Sequence, residues 1–294
     1  MLGRMRTALF AAILASCCLI ASPALADDSG VHYRSGVALK AQGKIDDAIV
    51  EFEKAVTIKP DHGMAWNSLG LLYKIKGRHD KSVAAFESAA RVMPKDAIIH
   101  GNLGMAYYRA NRNAEAIKSL ETAAKLNPKD PLIQENLGVI KRKQGDDAGA
   151  IVHLENAARL KPNDSQVQSN LGTAYSAAKR LNEAEAAYRR AIKITPTIAD
   201  FHFNLGTVLR RKEMVAEAIA SYKEAIRLNP KMAPAWYDLG VLYRTTKENE
   251  LAVDAFQKYY ELTRGKDAKA DATVEEEIRM LGGNPGGKGG GKKK

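Results

Sequence analysis

The chain has 294 residues, 45% hydrophobic, 27% charged and only 6% aromatic, a balance that fits a buried core and excludes wholesale disorder and collagen-like structure. Its two cysteines, Cys17 and Cys18, both stand near the N-terminus, which excludes a disulfide scaffold. Lys and Arg number 45 against 34 Asp and Glu, a formal charge of +11, and this raises nucleic acid or an anionic membrane as partners until the charge is placed along the chain.

Arg4 and Arg6 precede an apolar stretch from Ala8 to Ile20 that is short for a membrane span. Ala24-Leu25-Ala26 then forms a small-x-small cleavage site ahead of Asp27-Asp28. Residues 1–26 therefore read as a secretory signal peptide and 27–28 as a leader, which makes the mature chain exported, periplasmic or secreted. Leu14-Ala15-Ser16-Cys17 is similar to a bacterial lipoprotein box, and lipid on Cys17 would instead make the chain membrane-anchored. Against that, Cys18-Leu19-Ile20 is apolar where such an anchor usually carries a polar tether. An uncleaved anchor is the third alternative. With cleavage after Ala26 the mature chain keeps no cysteine, so thiol catalysis is excluded.

From residue 29 a period of 34 organises the chain. Glycines fall at 36, 70, 104, 138, 172, 206 and 240, prolines at 60, 94, 128, 162, 196 and 230, and alanines at 55, 89, 123, 157, 191 and 225. Each unit predicts two helices. In the second unit Trp66, Leu69, Gly70 and Tyr73 lie on one face of a first helix, Gly77 breaks the chain, and Val83, Phe86, Ala89 and Ala90 mark a second helix that Pro94 ends. The recurring glycine and alanine are small where the two helices must approach closely.

The pattern W-x2-L-G-x2-Y, followed by Ala, an aromatic, Ala and Pro, resembles the tetratricopeptide repeat. The second unit matches it at Trp66, Leu69, Gly70, Tyr73, Phe86, Ala89 and Pro94, with Ser82 where alanine is usual. The seventh matches at Trp236, Leu239, Gly240, Tyr243, Ala252 and Phe256, and departs from it at Tyr259 and Arg264. The resemblance implies an all-α fold, a right-handed α-solenoid of helix-turn-helix repeats over 29–62, 63–96, 97–130, 131–164, 165–198, 199–232 and 233–266. Residues 267–281 are expected to add a capping helix. Thr273-x-x-Glu276 reads as its capping box, the helix itself as about 271–281, and Val274, Ile278 and Leu281 as its apolar stripe. Residues 282–294 read as a disordered Gly/Lys tail.

No phosphate loop, nucleophile elbow, metal-ligand helix or dinucleotide fingerprint is present, and neither catalysis nor a cofactor or metal is expected. His32, His100 and His202 occupy the slot that Trp66 and Trp236 fill; helix packing accounts for them better than ligation. His62, His79 and His153 form no ligand spacing either.

The candidate binding residues are polar. At about 100° per residue, position 6 of the repeat lies opposite the stripe of positions 4, 7, 8 and 11. It holds Ser68, Asn102, Asn136, Asn170, Asn204 and Asp238. Asparagine is a poor helix former, but its amide both donates and accepts. Such a row could hold the backbone of an extended peptide, as similar asparagine ladders do in other members of the resembled family, whose first helices line a concave groove. Alternatively, duplication copied Asn-Leu-Gly as a block. Positions 12 and 13 hold Lys40, Lys74, Arg109, Arg142, Lys143, Arg210, Arg211 and Arg244, with no Asp or Glu. They suit either an acidic partner or the helix macrodipole.

The chain thus reads as a non-enzymatic scaffold that holds an extended segment of a partner protein or peptide in the cell envelope, with no nucleic acid as partner. The alternative is a membrane-anchored lipoprotein that assists assembly of pilus or outer-membrane complexes. The charge divides accordingly: losing Arg4 and Arg6 leaves +9, of which the tail lysines 288, 292, 293 and 294 hold +4.

Overall fold

A computed structural model describes residues 23–286. The expected signal h-region, Cys17, Cys18 and the tail lysines lie outside the described residues. Within them are fifteen helices and no strand, and the chain divides into two compact bodies, residues 1–126 and 127–294. The first contains α1 (Pro23–Ala41), α2 (Ile45–Ile58), α3 (Gly63–Ile75), α4 (His79–Val92), α5 (Ala97–Arg109) and α6 (Asn113–Leu126). The second contains α7 (Pro131–Lys143), α8 (Asp147–Leu160), α9 (Ser165–Ala177), α10 (Leu181–Ile194), α11 (Ala199–Arg211), α12 (Val215–Leu228), α13 (Ala233–Thr245), α14 (Asn249–Thr263) and α15 (Ala268–Met280). Odd and even helices pair as consecutive antiparallel hairpins, and each hairpin packs on the next within its body. This is an all-α solenoid architecture. α1 begins at Pro23, so the four residues before the expected cleavage point lie in its first turn.

The small residues do what their spacing implies. A Cβ added to the glycine at position 8 would stand 2.8 Å from Phe52 at Gly36, 2.7 Å from Phe86 at Gly70 and 2.6 Å from Leu154 at Gly138. In every hairpin the contact is with the large side chain at position 24 of the partner helix. The alanines at positions 20 and 27 are fully buried beside it, among them Ala48, Ala55, Ala150 and Ala157. Ser82, which replaces an alanine, is buried and donates to the Gly70 carbonyl at 2.8 Å, so its hydroxyl is satisfied inside the core.

Position 24 also dictates position 9. Tyr188 and Tyr222 reach under the first helix to the hydroxyls of Thr173 (2.9 Å) and Thr207 (3.3 Å). Where position 24 is Phe or Leu, position 9 is apolar: Val37, Leu71, Met105, Val139 and Val241. A buried tyrosine needs a partner for its hydroxyl, and threonine supplies it only where tyrosine is present.

Between the two helices of each hairpin the chain passes once through the left-handed region, at Gly43, Gly77, Asn111, Gly145, Lys179, Glu213 and Lys247, with φ from 59 to 82°. Lys179, Glu213 and Lys247 bear a Cβ against this conformation, which costs about 1 kcal/mol or more. Replacing each by glycine is expected to stabilise the chain by about 0.5–1 kcal/mol after glycine's own entropy cost. Rising midpoints in a melting series of the single and triple variants would bear this out; falling midpoints would refute it.

The capping helix starts earlier than its sequence signal implied. α15 begins at Ala268 behind Asp267, whose carboxylate accepts from the amides of Lys269 (2.9 Å) and Ala270 (3.1 Å). Thr273 is therefore interior to the helix and not its cap; its hydroxyl bonds back to the Lys269 carbonyl at 2.9 Å. Asp267 satisfies the amides freed at the true start, so the Thr-x-x-Glu spacing is incidental. Val274 and Ile278 are buried against α13 and α14, with Leu281 packed beside them.

Candidate functional site

In both bodies the first helices of successive hairpins touch one another: α3 meets α5, α7 meets α9, and α9 meets α11. Position 6 of one repeat thereby comes next to position 5 of the one before. The amide of Asn102 donates to Asn67 Oδ1 at 3.2 Å, and that of Asn170 donates to Glu135 Oε1 at 2.8 Å and accepts from Gln166 at 3.2 Å. Asn136 and Asn204 are half-buried on the same face. Burial pushes the carboxyl of Glu135 up, aided by Asp164 and opposed by the Asn170 bond. Within each body the asparagines are thus polar rungs, and Asn102 and Asn170 also clasp the repeat before their own.

The basic row splits by role. Arg211 donates to the carbonyl (2.9 Å) and hydroxyl (2.8 Å) of Ser176, which is the helix-end placement that the macrodipole favours. Arg244 pairs with Glu277 of α15, and Lys143 is engaged as well. Lys74, Arg109, Arg142 and Arg210 form no ion pair among the described residues. Arg210 sits with Tyr222 and Asp238. Burial lowers the pKa of Arg210, but the Tyr222 bond and the charge of Asp238 outweigh it, and the net shift is upward. Burial raises that of Asp238 against the pull of Arg210 and Tyr222.

Exposed apolar residues lie on this face in both bodies. In the first, Val37, Met64, Ile75 and Ile98 are 44, 45, 61 and 65% exposed. They occupy positions 9, 2, 13 and 2, all within about 60° of position 6 on the helix. In the second, Leu132 at position 2 is 57% exposed, and positions 5 and 9 add the polar Glu135, Thr173 and Thr207. Apolar residues outside the packed stripe were the available signal for the first face, obscured because single exposed apolar residues are common.

The histidine slot has a role that goes beyond packing. At position 4, Trp66, His100, Gln134, Gln168, His202 and Trp236 each direct a side-chain nitrogen at the carbonyl of the proline six residues earlier, at 2.8 to 3.4 Å. Three residue types share one N–H, and that shared group was the readable signal. His32 instead meets Glu51 at 2.7 Å. No group of three His, Cys, Asp or Glu suited to a metal occurs among the described residues.

On the opposite side, position 11 carries tyrosines that donate to a glutamate of the preceding hairpin: Tyr73 to Glu53, Tyr107 to Glu87 and Tyr175 to Glu155, the last two at 2.6 Å. Burial, then the glutamate bond, pushes Tyr107 and Tyr175 up to about 12.

A family model described as the cilia and flagella-associated protein 70 C-terminal domain matches residues 16–234, and a tetratricopeptide repeat model matches 203–268. No curated protein matches. Among solved structures, a chain of the APC/C hetero-tetramer Cut9-Hcn1 is 26% identical with a TM-score of 0.56, over 72% of this chain and 42% of that one. The chain thus spans less than half of that relative's length. PilW, a type IV pilus biogenesis factor, is 19% identical with a TM-score of 0.59, over 68% of this chain and 93% of its own. YrrB, described as having an unusual peptide-binding site, is 20% identical with a TM-score of 0.55, over 65% and 98%.

Proposed function

Since the chain belongs to the tetratricopeptide repeat family, through the model of the cilia and flagella-associated protein 70 C-terminal domain that matches residues 16–234, we propose that it is a non-enzymatic scaffold whose first-helix faces hold an extended segment of a partner protein. The observation that carries this is the register of the polar rungs: position 6 of one first helix lies within 3.2 Å of position 5 of the one before at Asn102–Asn67 and Asn170–Glu135. Amides so spaced can exchange hydrogen bonds with a peptide main chain of any sequence. Arg142 and Arg210, without an ion pair among the described residues, favour carboxylates in the bound segment. The exposed Val37, Met64, Ile75 and Ile98 favour apolar side chains against the first body. The leader-like pattern of residues 1–26 favours the cell envelope as the setting of this activity.

The test is capture from an envelope extract by the immobilised full chain and by a variant with Asn102, Asn136, Asn170 and Asn204 changed to Ala. The expected result is a loss of the captured partner of roughly tenfold or more. Melting should fall only by the clasps of Asn102 and Asn170, about 1 kcal/mol each. Undiminished capture by the folded variant overturns the proposal. The second reading, a membrane-anchored assembly factor, rests on Leu14-Ala15-Ser16-Cys17; a mature N-terminus at Asp27 removes it.

A further inference from the structure

At Tyr107 and Tyr175 the space over the ring is closed by the chain itself. Arg112 lies 4.4 Å above Tyr107 and Arg180 lies 4.6 Å above Tyr175. Each guanidinium is held there by a glutamate at 3.0 Å, Glu115 or Glu183, while the tyrosine hydroxyl donates to Glu87 or Glu155. Arginine at position 16, glutamate at position 19 and glutamate at position 25 of the preceding repeat together make a lid and an acceptor.

Around Tyr243 all three are replaced. Position 16 is Glu248, turned toward the hydroxyl of Thr246 at 2.7 Å, position 19 is Leu251, and the preceding position 25 is Lys223. The lid is gone, and a cavity of about 350 Å³ opens between α12, α13 and α14. Its floor is apolar, made by Ile226, Trp236, Leu239, Tyr243 and Ala255, and Leu251 at its edge is 44% exposed. The charged groups lining it are Lys223, Arg227 and Asp254. Arg227 is taken by Glu224 at 2.6 Å. Lys223 and Asp254 form no ion pair, and the Tyr243 hydroxyl no hydrogen bond, among the described residues.

We propose that this cavity, on the side of the hairpins away from the asparagine ladder, binds the C-terminal residue of a partner polypeptide when that residue is large and apolar. At Tyr107 and Tyr175 the chain supplies a carboxylate to the tyrosine hydroxyl; at Tyr243 it supplies a cation and leaves the carboxylate to the ligand. The α-carboxylate accepts from Lys223 and the Tyr243 hydroxyl, the side chain enters among Trp236, Leu239 and Ile226, and the residue's own amide N–H donates to Asp254. An apolar chain end joins a carboxylate, an N–H donor and a large side chain on one carbon. A free fatty acid lacks the N–H and an internal residue lacks the carboxylate. The volume is at the small end of the range for ligand pockets, enough for one residue.

The full chain is titrated with a short Gly/Ser peptide ending in Phe, as free acid and as C-terminal amide, and with octanoate. The readout is the indole N–H resonance of Trp236 in ¹H–¹⁵N spectra, told apart from that of Trp66 by Trp66→Phe. The free acid is expected to shift the Trp236 signal saturably, with the amide weaker by roughly tenfold, the worth of a charge-assisted hydrogen bond. Lys223→Glu, which restores the acceptor that the other tyrosines have, is expected to abolish the shift. Glu248→Arg with Leu251→Glu, which restores the lid, is expected to do the same, and both variants should keep their helical circular dichroism. Equal binding of acid and amide, no saturation by about 1 mM, or binding unchanged in Lys223→Glu overturns the proposal. Binding of octanoate without the peptide overturns the polypeptide as occupant. So does self-association that Leu251→Glu abolishes, since a second copy would then fill the cavity.

Discussion

Gly138→Ala is expected to destabilise the second body by about 1–3 kcal/mol, the usual cost of overpacking a filled core, even though alanine gains about 1 kcal/mol over glycine in helix propensity. The added Cβ would stand 2.6 Å from Leu154 Cγ and 3.1 Å from the Ala150 carbonyl oxygen. The second contact is backbone and cannot rotate away. Leu154→Ala alone empties a fully buried site, at a cost of about 2–5 kcal/mol. Because the two substitutions change the same volume in opposite directions, the double variant should cost less than the sum of the two, a direct measure of coupling. Gly172→Ala serves as contrast: its nearest neighbours are Tyr188 ring atoms at 3.0 Å and no backbone, so its penalty should be smaller. Repeat arrays need not unfold in a single step, so amide exchange in α7 and α8 should be followed beside the global midpoint. Additive penalties at Gly138 and Leu154 would mean that the helices do not compete for that space.

Ile278→Asp is expected to undock α15. Ile278 is fully buried with Val274 against α13 and α14, and an unpaired carboxylate there costs about 3–5 kcal/mol. The remaining ties are polar: Tyr260 to Glu275 at 2.6 Å, Gln257 to the Asn284 carbonyl at 2.8 Å, and the pair of Arg244 with Glu277. Exposed charge pairs contribute well under that cost and should not hold the helix alone. Trypsin should then cut at Lys266, Lys269 and Arg279 faster than in the wild type, while Met280→Asp, at a position 67% exposed, should leave the rate unchanged. Equal protection of Ile278→Asp and wild type would show that the polar ties suffice.

Much of the hairpin architecture was legible because it repeats one local pattern. A glycine at position 8 and a large residue at position 24 recur every 34 residues, with alanine at 20 except for Ser82, and alanine at 27 and a terminal proline in all units but the seventh, and each states a packing requirement on its own. The contacts between repeats were less legible. The position 4 bond is made by tryptophan, histidine and glutamine alike, so a search for one residue type finds nothing. The position 6 row was visible as residues. That Asn102 reaches Asn67, and Asn170 reaches Glu135, depends on partners 35 residues away whose types differ.

What the sequence determined by itself is therefore the set of properties encoded by spacing along one helix or one hairpin: fourteen paired helices, their buried faces and the arc on which the asparagines lie. Tertiary structure decided which polar group meets which. It turned Arg211 to a helix end and Arg244 to the cap, and it opened the space over Tyr243. The reason is that a helix period fixes direction around an axis. Hydrogen bonds and ion pairs depend on a second side chain brought close only when hairpins stack, and that partner can change from one repeat to the next while the period stays the same.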